Sequence, residues 1–111
     1  MQNNYHLRLK DVNQMLSHNA PQRFITLLRH GSMSVEYFAP RDIDTQIPHR
    51  QDELYVIASG ETDFDRNGEL LHCGKGDVLF VPAGMEHRFK NFSNDFATWV
   101  IFYGKDGGEA N

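Results

Sequence analysis

Cysteine is nearly missing from this 111-residue chain, Cys73 being its single thiol. An intrachain disulfide is therefore impossible, and any metal site has to come from imidazole, carboxylate and amide groups. Cys73 itself reads as a small half-buried side chain. Also missing is any run of about 18 consecutive apolar residues, so nothing reads as a membrane-spanning helix. The first 30 residues, MQNNYHLRLKDVNQMLSHNAPQRFITLLRH, hold no apolar stretch of the kind a signal peptide needs, and the expectation is a soluble, cytoplasmic protein. Basic charge is scarce: 11 Lys and Arg against 15 Asp and Glu give a formal charge of −4, with no basic run. Such a chain makes no attractive field for phosphate backbones or anionic lipid, which argues against nucleic acid and membrane partners. The sequence shows no internal repeat, low-complexity tract or linker. What remains is 40% hydrophobic and 23% charged, one ordinary globular domain large enough to bury a core.

Most of the chain consists of short β-rich runs. The helical signal is confined to residues 9–18, LKDVNQMLSH, where Asp11 can cap the first turn and Leu9, Val12, Met15 and Leu16 fall at helical spacing. Pro21 closes that segment. From Phe24 onward, FITLLRH, MSVEYFA, ELYVIAS, ETDFD, ELLHC, VLFVP and FATWVIFYG alternate with turn signals, among them Gly31-Ser32, Pro40-Arg41-Asp42 and Asn67-Gly68. This rhythm predicts an all-β antiparallel barrel or sandwich. The last run is apolar at both parities, so both of its faces should be covered, by the N-terminal segment or by a partner subunit. The tail KDGGEAN is polar and Gly-rich, and is expected to be loose or to tie off the barrel.

Four side chains with donor atoms stand out in the strand-rich middle. Gln46, His49 and Glu53 lie in DTQIPHRQDELYVIASG, residues 44–60, and His87 in GDVLFVPAGMEHRFKN, residues 76–91. Side chains two apart on a strand share a face, and a gap of four with a bulge between can return to it, so His49 and Glu53 can point into one interior. Imidazole with carboxylate suits iron, manganese, nickel, cobalt or zinc rather than copper(I) or a sulfur cluster. His6, His18, His30 and His72 read as surface residues. Glu36, Arg50, Gln51 and Asp52 read as solvated strand ends, with Arg50 and Gln51 near enough to the donors to gate a mouth. Tyr37, Phe38, Tyr55, Phe80, Phe89, Trp99 and Tyr103 read as core or barrel wall.

The second of these stretches places Gly76, Pro82, Gly84, His87 and Asn91 at the intervals G-x5-P-x-G-x2-H-x3-N. It resembles the second motif of the cupin superfamily at all five fixed positions. By composition such a match at a given start has a chance of roughly 10⁻⁷. The superfamily's first motif, G-x5-H-x-H-x(3 or 4)-E-x6-G, is resembled in part. His49, Glu53 and Gly60 fit it, but Ile47 stands where the first histidine would be and Arg41 where the first glycine would be. The resemblance implies a single jelly-roll (cupin) antiparallel β-barrel with a short N-terminal helix. Residues 1–33 would be the helix and leading strand packing on the barrel, 34–103 the barrel core and 104–111 the tail.

Carried over residue by residue, the resemblance makes His49, Glu53 and His87 ligands of one divalent transition metal ion, Fe, Mn, Ni, Co or Zn. The usual fourth ligand is missing from its place. Gln46 or Asp44 could replace it if Pro48 turns the strand; otherwise water or substrate fills it. The second reading is preferred, because Ile47 has the inward parity and Gln46 does not. Two histidines and one carboxylate with open positions suit a non-haem dioxygenase or a Lewis-acid isomerase acting on a small metal-chelating polar metabolite. Cupins also include non-catalytic metabolite- or metal-binding and sensory modules, and proteins whose role is structural. Tyr55, two residues after Glu53 on the same face, is the first catalytic candidate, and no residue stands out as a general base. A homodimer is expected from family habit.

Overall fold

A computed structural model of the protein describes residues 5–19, 23–44 and 46–110, with the backbone only at 17–19. The expectations for Pro21 and for the His18 side chain lie outside these residues. Helix α1 spans Leu9–Asn19. Asp11 sits inside its first turn, where a negative charge suits the helix dipole, rather than at the cap. Val12 and Leu16 are buried and Leu9 packs beside them, whereas Met15 turns outward.

Eight strands follow: β1 (Phe24–His30), β2 (Met33–Phe38), β3 (Asp52–Ser59), β4 (Glu61–Arg66), β5 (Glu69–Gly74), β6 (Val78–Val81), β7 (His87–Lys90) and β8 (Ala97–Tyr103). They form two antiparallel sheets, ordered β1-β2-β8-β3-β6 and β5-β4-β7, which make an all-β jelly-roll barrel. The β4–β5 hairpin turns on Asn67 and Gly68, both at positive φ (52° and 92°), the backbone that a two-residue type I′ turn requires. Gly60 joins β3 to β4 at φ +77°, and a Cβ there would fall 2.7 Å from Phe96 Cα. Glycine is needed at this position for space as well as for φ.

The barrel interior is filled largely by aromatics. Phe89 meets Tyr55, Phe64 and Phe96 at centroid distances of 4.8, 4.9 and 4.9 Å. Cys73 is buried in the same cluster, more deeply than the half-buried reading had it. On the outer face of the larger sheet, Tyr37, Ala58, Ala97 and half-buried Trp99 pack with Val12 and Leu16 of α1. The N-terminal segment thus covers the second apolar face of β8. The Tyr37 hydroxyl donates to Asn13 Oδ1 at 2.7 Å, fastening the helix there. Phe80 departs from the aromatic pattern, standing 44% exposed on β6.

Between β2 and β3, none of the described residues of 39–51 is in a strand. Asp44 holds this segment in place. It is 1% exposed, its Oδ2 accepts the Phe89 backbone N–H at 2.9 Å, and its Oδ1 accepts the Gln46 backbone N–H at 2.9 Å. The tail is tied down, with the Gly107 N–H donating to Arg50 O at 2.7 Å and the Glu109 N–H to Asp52 Oδ2 at 2.8 Å. Among the described residues, no helix is long and apolar enough to cross a membrane.

Candidate metal centre

His49, Glu53 and His87 come from three different elements: the segment before β3, the second residue of β3 and the first residue of β7. Two contacts bring them together. The Gly84 N–H donates to His49 O at 2.7 Å, stitching the turn before β7 to the segment before β3. The Ala83 N–H donates to Asp52 Oδ1 at 2.9 Å, beside Glu53. Gly84 makes that turn at positive φ, which accounts for a glycine at this motif position. The outcome is a group in which one ligand atom from each of the three side chains lies within 4.8 Å of the others.

Glu53 is 1% exposed and His87 6%. His87 Nδ1 lies 2.9 Å from Met85 O. A carbonyl can only accept, so Nδ1 carries the hydrogen and Nε2 presents its lone pair when the ring is neutral. That Nε2 stands 3.1 Å from Glu53 Oε1, without the alignment of a hydrogen bond. Two acceptors this close repel unless a cation lies between them. Burial alone would depress the His87 pKa, but the adjoining Glu53 carboxylate and the Met85 carbonyl outweigh it and leave the pKa raised, so a proton is one such cation. A metal ion is the other.

His49 behaves in the opposite way. Burial pushes its pKa down, the Glu53 charge opposes this, and the neighbouring His87 adds to the lowering. A neutral imidazole, its ring edge-on to Phe102 at 4.7 Å, is the form that can coordinate. Among the described residues, His49 Nε2, Glu53 Oε2, His87 Nε2 and Glu36 Oε1 are buried side-chain atoms without a hydrogen-bond partner. Such atoms are costly unless something else satisfies them. Three of the four belong to this group, and two donor atoms about 2.1 Å from one ion would stand roughly 3 Å apart at a right angle. The donors present therefore fit a divalent transition metal.

The surroundings correct several expectations. The described residues of 39–51 are in no strand, so the parity argument about Ile47 does not apply: Ile47 is 73% exposed, and the half-buried Gln46 turns inward. The Gln46 carboxamide is engaged, donating to Asp44 Oδ2 at 3.1 Å and accepting the Tyr55 hydroxyl at 3.2 Å. Tyr55 is fully buried, and burial followed by the Glu53 charge pushes its hydroxyl well above the usual phenol range. Glu36 and Asp52, expected as solvated strand ends, are 6% and 4% exposed. Backbone N–H groups of Glu109 and Ala83 hold the Asp52 pKa down. Gln51 donates to Ser32 O and Gly104 O, clasping two turns instead of gating a mouth, while Arg50 is exposed. His6, His30 and His72 are on the surface. A concavity of about 910 Å³ opens between residues 42–44 and 46–48, β7 and the Asn67–Gly68 turn, with His87 among its lining residues.

Known proteins bear on this arrangement. A curated relative, "Uncharacterized protein SCO3923" of Streptomyces coelicolor, is 36% identical over 81 residues, 71% of this chain and 77% of that protein. Among solved structures, the plu4264 protein of Photorhabdus luminescens superposes with a TM-score of 0.69 at 19% identity, covering 95% of this chain and 90% of its own. The DMSP lyase DddQ of Ruegeria pomeroyi superposes at 0.62 and 25% identity, covering 73% of this chain and 46% of its own. The sequence model of the cupin domain matches residues 34–103, from β2 through β8, and the chain belongs to the cupin family.

Proposed function

We propose that His49, Glu53 and His87 hold one divalent transition metal ion, and that the protein is an enzyme acting on a small polar metabolite able to chelate it. The observation that carries this reading is the set of three buried, unpartnered donor atoms facing one another. The Met85 carbonyl fixes the His87 tautomer, and the Gly84 N–H anchors the His49 backbone, so the donors are held before any ligand arrives. When bound, the ion supplies a Lewis acid that polarises a coordinated oxygen and lowers its pKa. Gln46 Oε1 is taken up by the Tyr55 hydroxyl, which supports leaving the remaining positions to water and substrate rather than to a fourth protein ligand. The concavity runs along β7 beside the site, with the His87 side chain buried and neither His49 nor Glu53 open to it, so a ligand entering from that side needs a small movement of segment 46–48. Both a non-haem dioxygenase and a Lewis-acid isomerase or lyase can use such a site; the likeness to a DMSP lyase supports the second branch.

Exposed Val78 and Phe80 on the edge strand β6 support a homodimer, which light scattering at micromolar concentration checks. The functional test loads the protein with Fe(II), Mn(II), Ni(II) or Zn(II) and offers a panel of small hydroxy and keto acids. Oxygen uptake and product NMR are followed together. Turnover that disappears in His87→Ala is the expected result. Tight ligand binding without turnover under any metal would refute the enzyme reading and point to a sensory module.

A further inference from the structure

Of the four buried unpartnered side-chain atoms among the described residues, one lies outside the triad: Glu36 Oε1. Glu36 is on β2, where alternation gives Ser34, Glu36 and Phe38 one face and Tyr37 the other. Phe38 packs in the barrel-interior cluster against Phe89, and Tyr37 packs under the helix, so Glu36 points inward. Its row across the sheet runs Thr26, Glu36, Val100, Tyr55, with Val100 and Tyr55 both in the interior cluster. Glu53 opposes Phe102, which opposes Ser34, so the two carboxyl-bearing strands are separated only by β8. At the usual strand spacing that is about 10 Å.

The other oxygen of Glu36 has partners. The Thr26 and Ser34 hydroxyls approach Oε2 at 3.4 and 3.3 Å and can donate to it. No Lys, Arg or His forms an ion pair with Glu36 among the described residues. The charged groups acting on it are Arg29 on β1 and Glu53 on β3, while β8 presents apolar Val100 opposite. With the residue 6% exposed, one oxygen bare and no paired cation, burial favours the neutral carboxyl, while the Ser34 and Thr26 hydroxyls and the Arg29 charge act in the other direction. Burial raises its pKa accordingly, outweighing the two hydroxyls.

We propose that Glu36 is the proton-carrying group of this site: a neutral carboxylic acid whose Oε1–H faces the ligand held at His49, Glu53 and His87. The inference rests on the metal-site reading above and sharpens it towards proton-transfer chemistry on a substrate that gains or exchanges a proton. In the step, the O–H bond of Glu36 breaks while a bond from that hydrogen to a substrate oxygen or carbon forms, and the electron pair stays on Oε1. The resulting carboxylate is held by the Ser34 and Thr26 hydroxyls until product or water returns a proton. This supplies the acid–base group that the sequence did not reveal.

The test uses Co(II) as the metal and oxalate as the probe, with Glu36→Gln and Glu36→Ala. In metal-free protein at neutral pH, the infrared difference between wild type and Glu36→Gln should contain the C=O band of a neutral carboxylic acid, and in the cobalt protein that band should shift when oxalate is added. Glu36→Ala should weaken oxalate binding about tenfold, whereas Glu36→Gln, which keeps a donor, should hold it within about threefold and lose the weakening seen in wild type as pH rises. Both variants should bind cobalt as wild type does. If Glu36→Ala does not fold, the band and the pH dependence of Glu36→Gln decide. Absence of the band, or oxalate binding identical in all three proteins at every pH, overturns the proposal while leaving the metal site standing. Failure of wild type to take up cobalt instead overturns the metal-site reading, and the ligand-facing role falls with it.

Discussion

Replacing Asp44 by alanine should loosen the metal centre without touching any of its three donor residues. The Asp44 carboxylate accepts three hydrogen bonds, from Phe89 N–H at 2.9 Å, Gln46 N–H at 2.9 Å and the Gln46 side-chain amide at 3.1 Å. It is 1% exposed, and Phe89 lies in the barrel core. Removing it leaves the Phe89 N–H without an acceptor in a dry environment and the Gln46 N–H half-covered. A buried donor stripped of its acceptor costs about 1–3 kcal/mol, so the two together should destabilise the fold by about 2–4 kcal/mol. For a domain of this size that lowers Tm by about 10–20 °C. The described residues of 39–51 form no strand that could hold the segment against β7 instead, so His49 should lose its fixed position and metal affinity should fall as well. Asp44→Asn keeps one acceptor oxygen but turns an amide towards a donor, and should fall between wild type and Asp44→Ala. Circular dichroism melts of metal-free protein and Co(II) titrations provide the readouts. Asp44→Ala that melts within about 2 °C of wild type and binds cobalt equally well would refute the claim that this carboxylate anchors the segment.

Phe89→Ala should destabilise by about 3–5 kcal/mol, since the ring fills the centre of the aromatic cluster, and urea unfolding should show it as a lower midpoint with little change in slope. His72, exposed on β5, lies 3.0 Å from Asp63 and 2.9 Å from Glu61 on β4, and these two carboxylates raise its pKa. A raised histidine pKa means the folded protein binds the proton more tightly. The stabilisation is therefore full below about pH 6.5 and lost as pH rises through the folded value. The stability difference between wild type and His72→Ala, measured by urea unfolding, should shrink with increasing pH across that window; a difference that grows would contradict the assignment. Gly60→Ala should fold poorly, because its Cβ would meet the Phe96 backbone at a positive φ, and a normal melt would refute the close approach.

The parts of the structure legible in the sequence were those where a residue type has one physical use. Gly84 and Asn91 both take positive φ, and Pro82 and Gly84 bracket the turn that delivers His87, so the second motif could be read almost directly as structure. That both faces of β8 are covered followed from its apolar residues at both parities; that the N-terminal segment rather than a partner subunit covers the second face is seen only in the packing of Val12 and Leu16. Glu36 was misread because β2 is flanked on both faces, by helix and by barrel, and MSVEYF offers apolar residues at each parity; nothing local says which face receives the carboxylate. Asp52 was misread for another reason. Its partners, Ala83 and Glu109, are 31 and 57 residues away in the chain, beyond what spacing arguments reach. The inward turn of Gln46 depended on residues 46–51 not continuing a strand, a tertiary outcome set by Asp44 and by Arg88, which donates to Gln46 O at 3.2 Å.

The central claim is that three side chains from separate elements form one metal site, and metal stoichiometry tests it most directly. Protein purified without chelators or added metal, then dialysed against Zn(II) or Co(II) and stripped of free ion, should retain one equivalent, measured by elemental analysis. His49→Ala and His87→Ala should each retain well under half of that, and wild type should melt higher with metal than without. At a free metal concentration of 100 times Kd the stabilisation is about 2.7 kcal/mol, an upward shift on the order of 10 °C. Retention below about one tenth of an equivalent by wild type, with no shift in Tm on adding metal, would contradict the account.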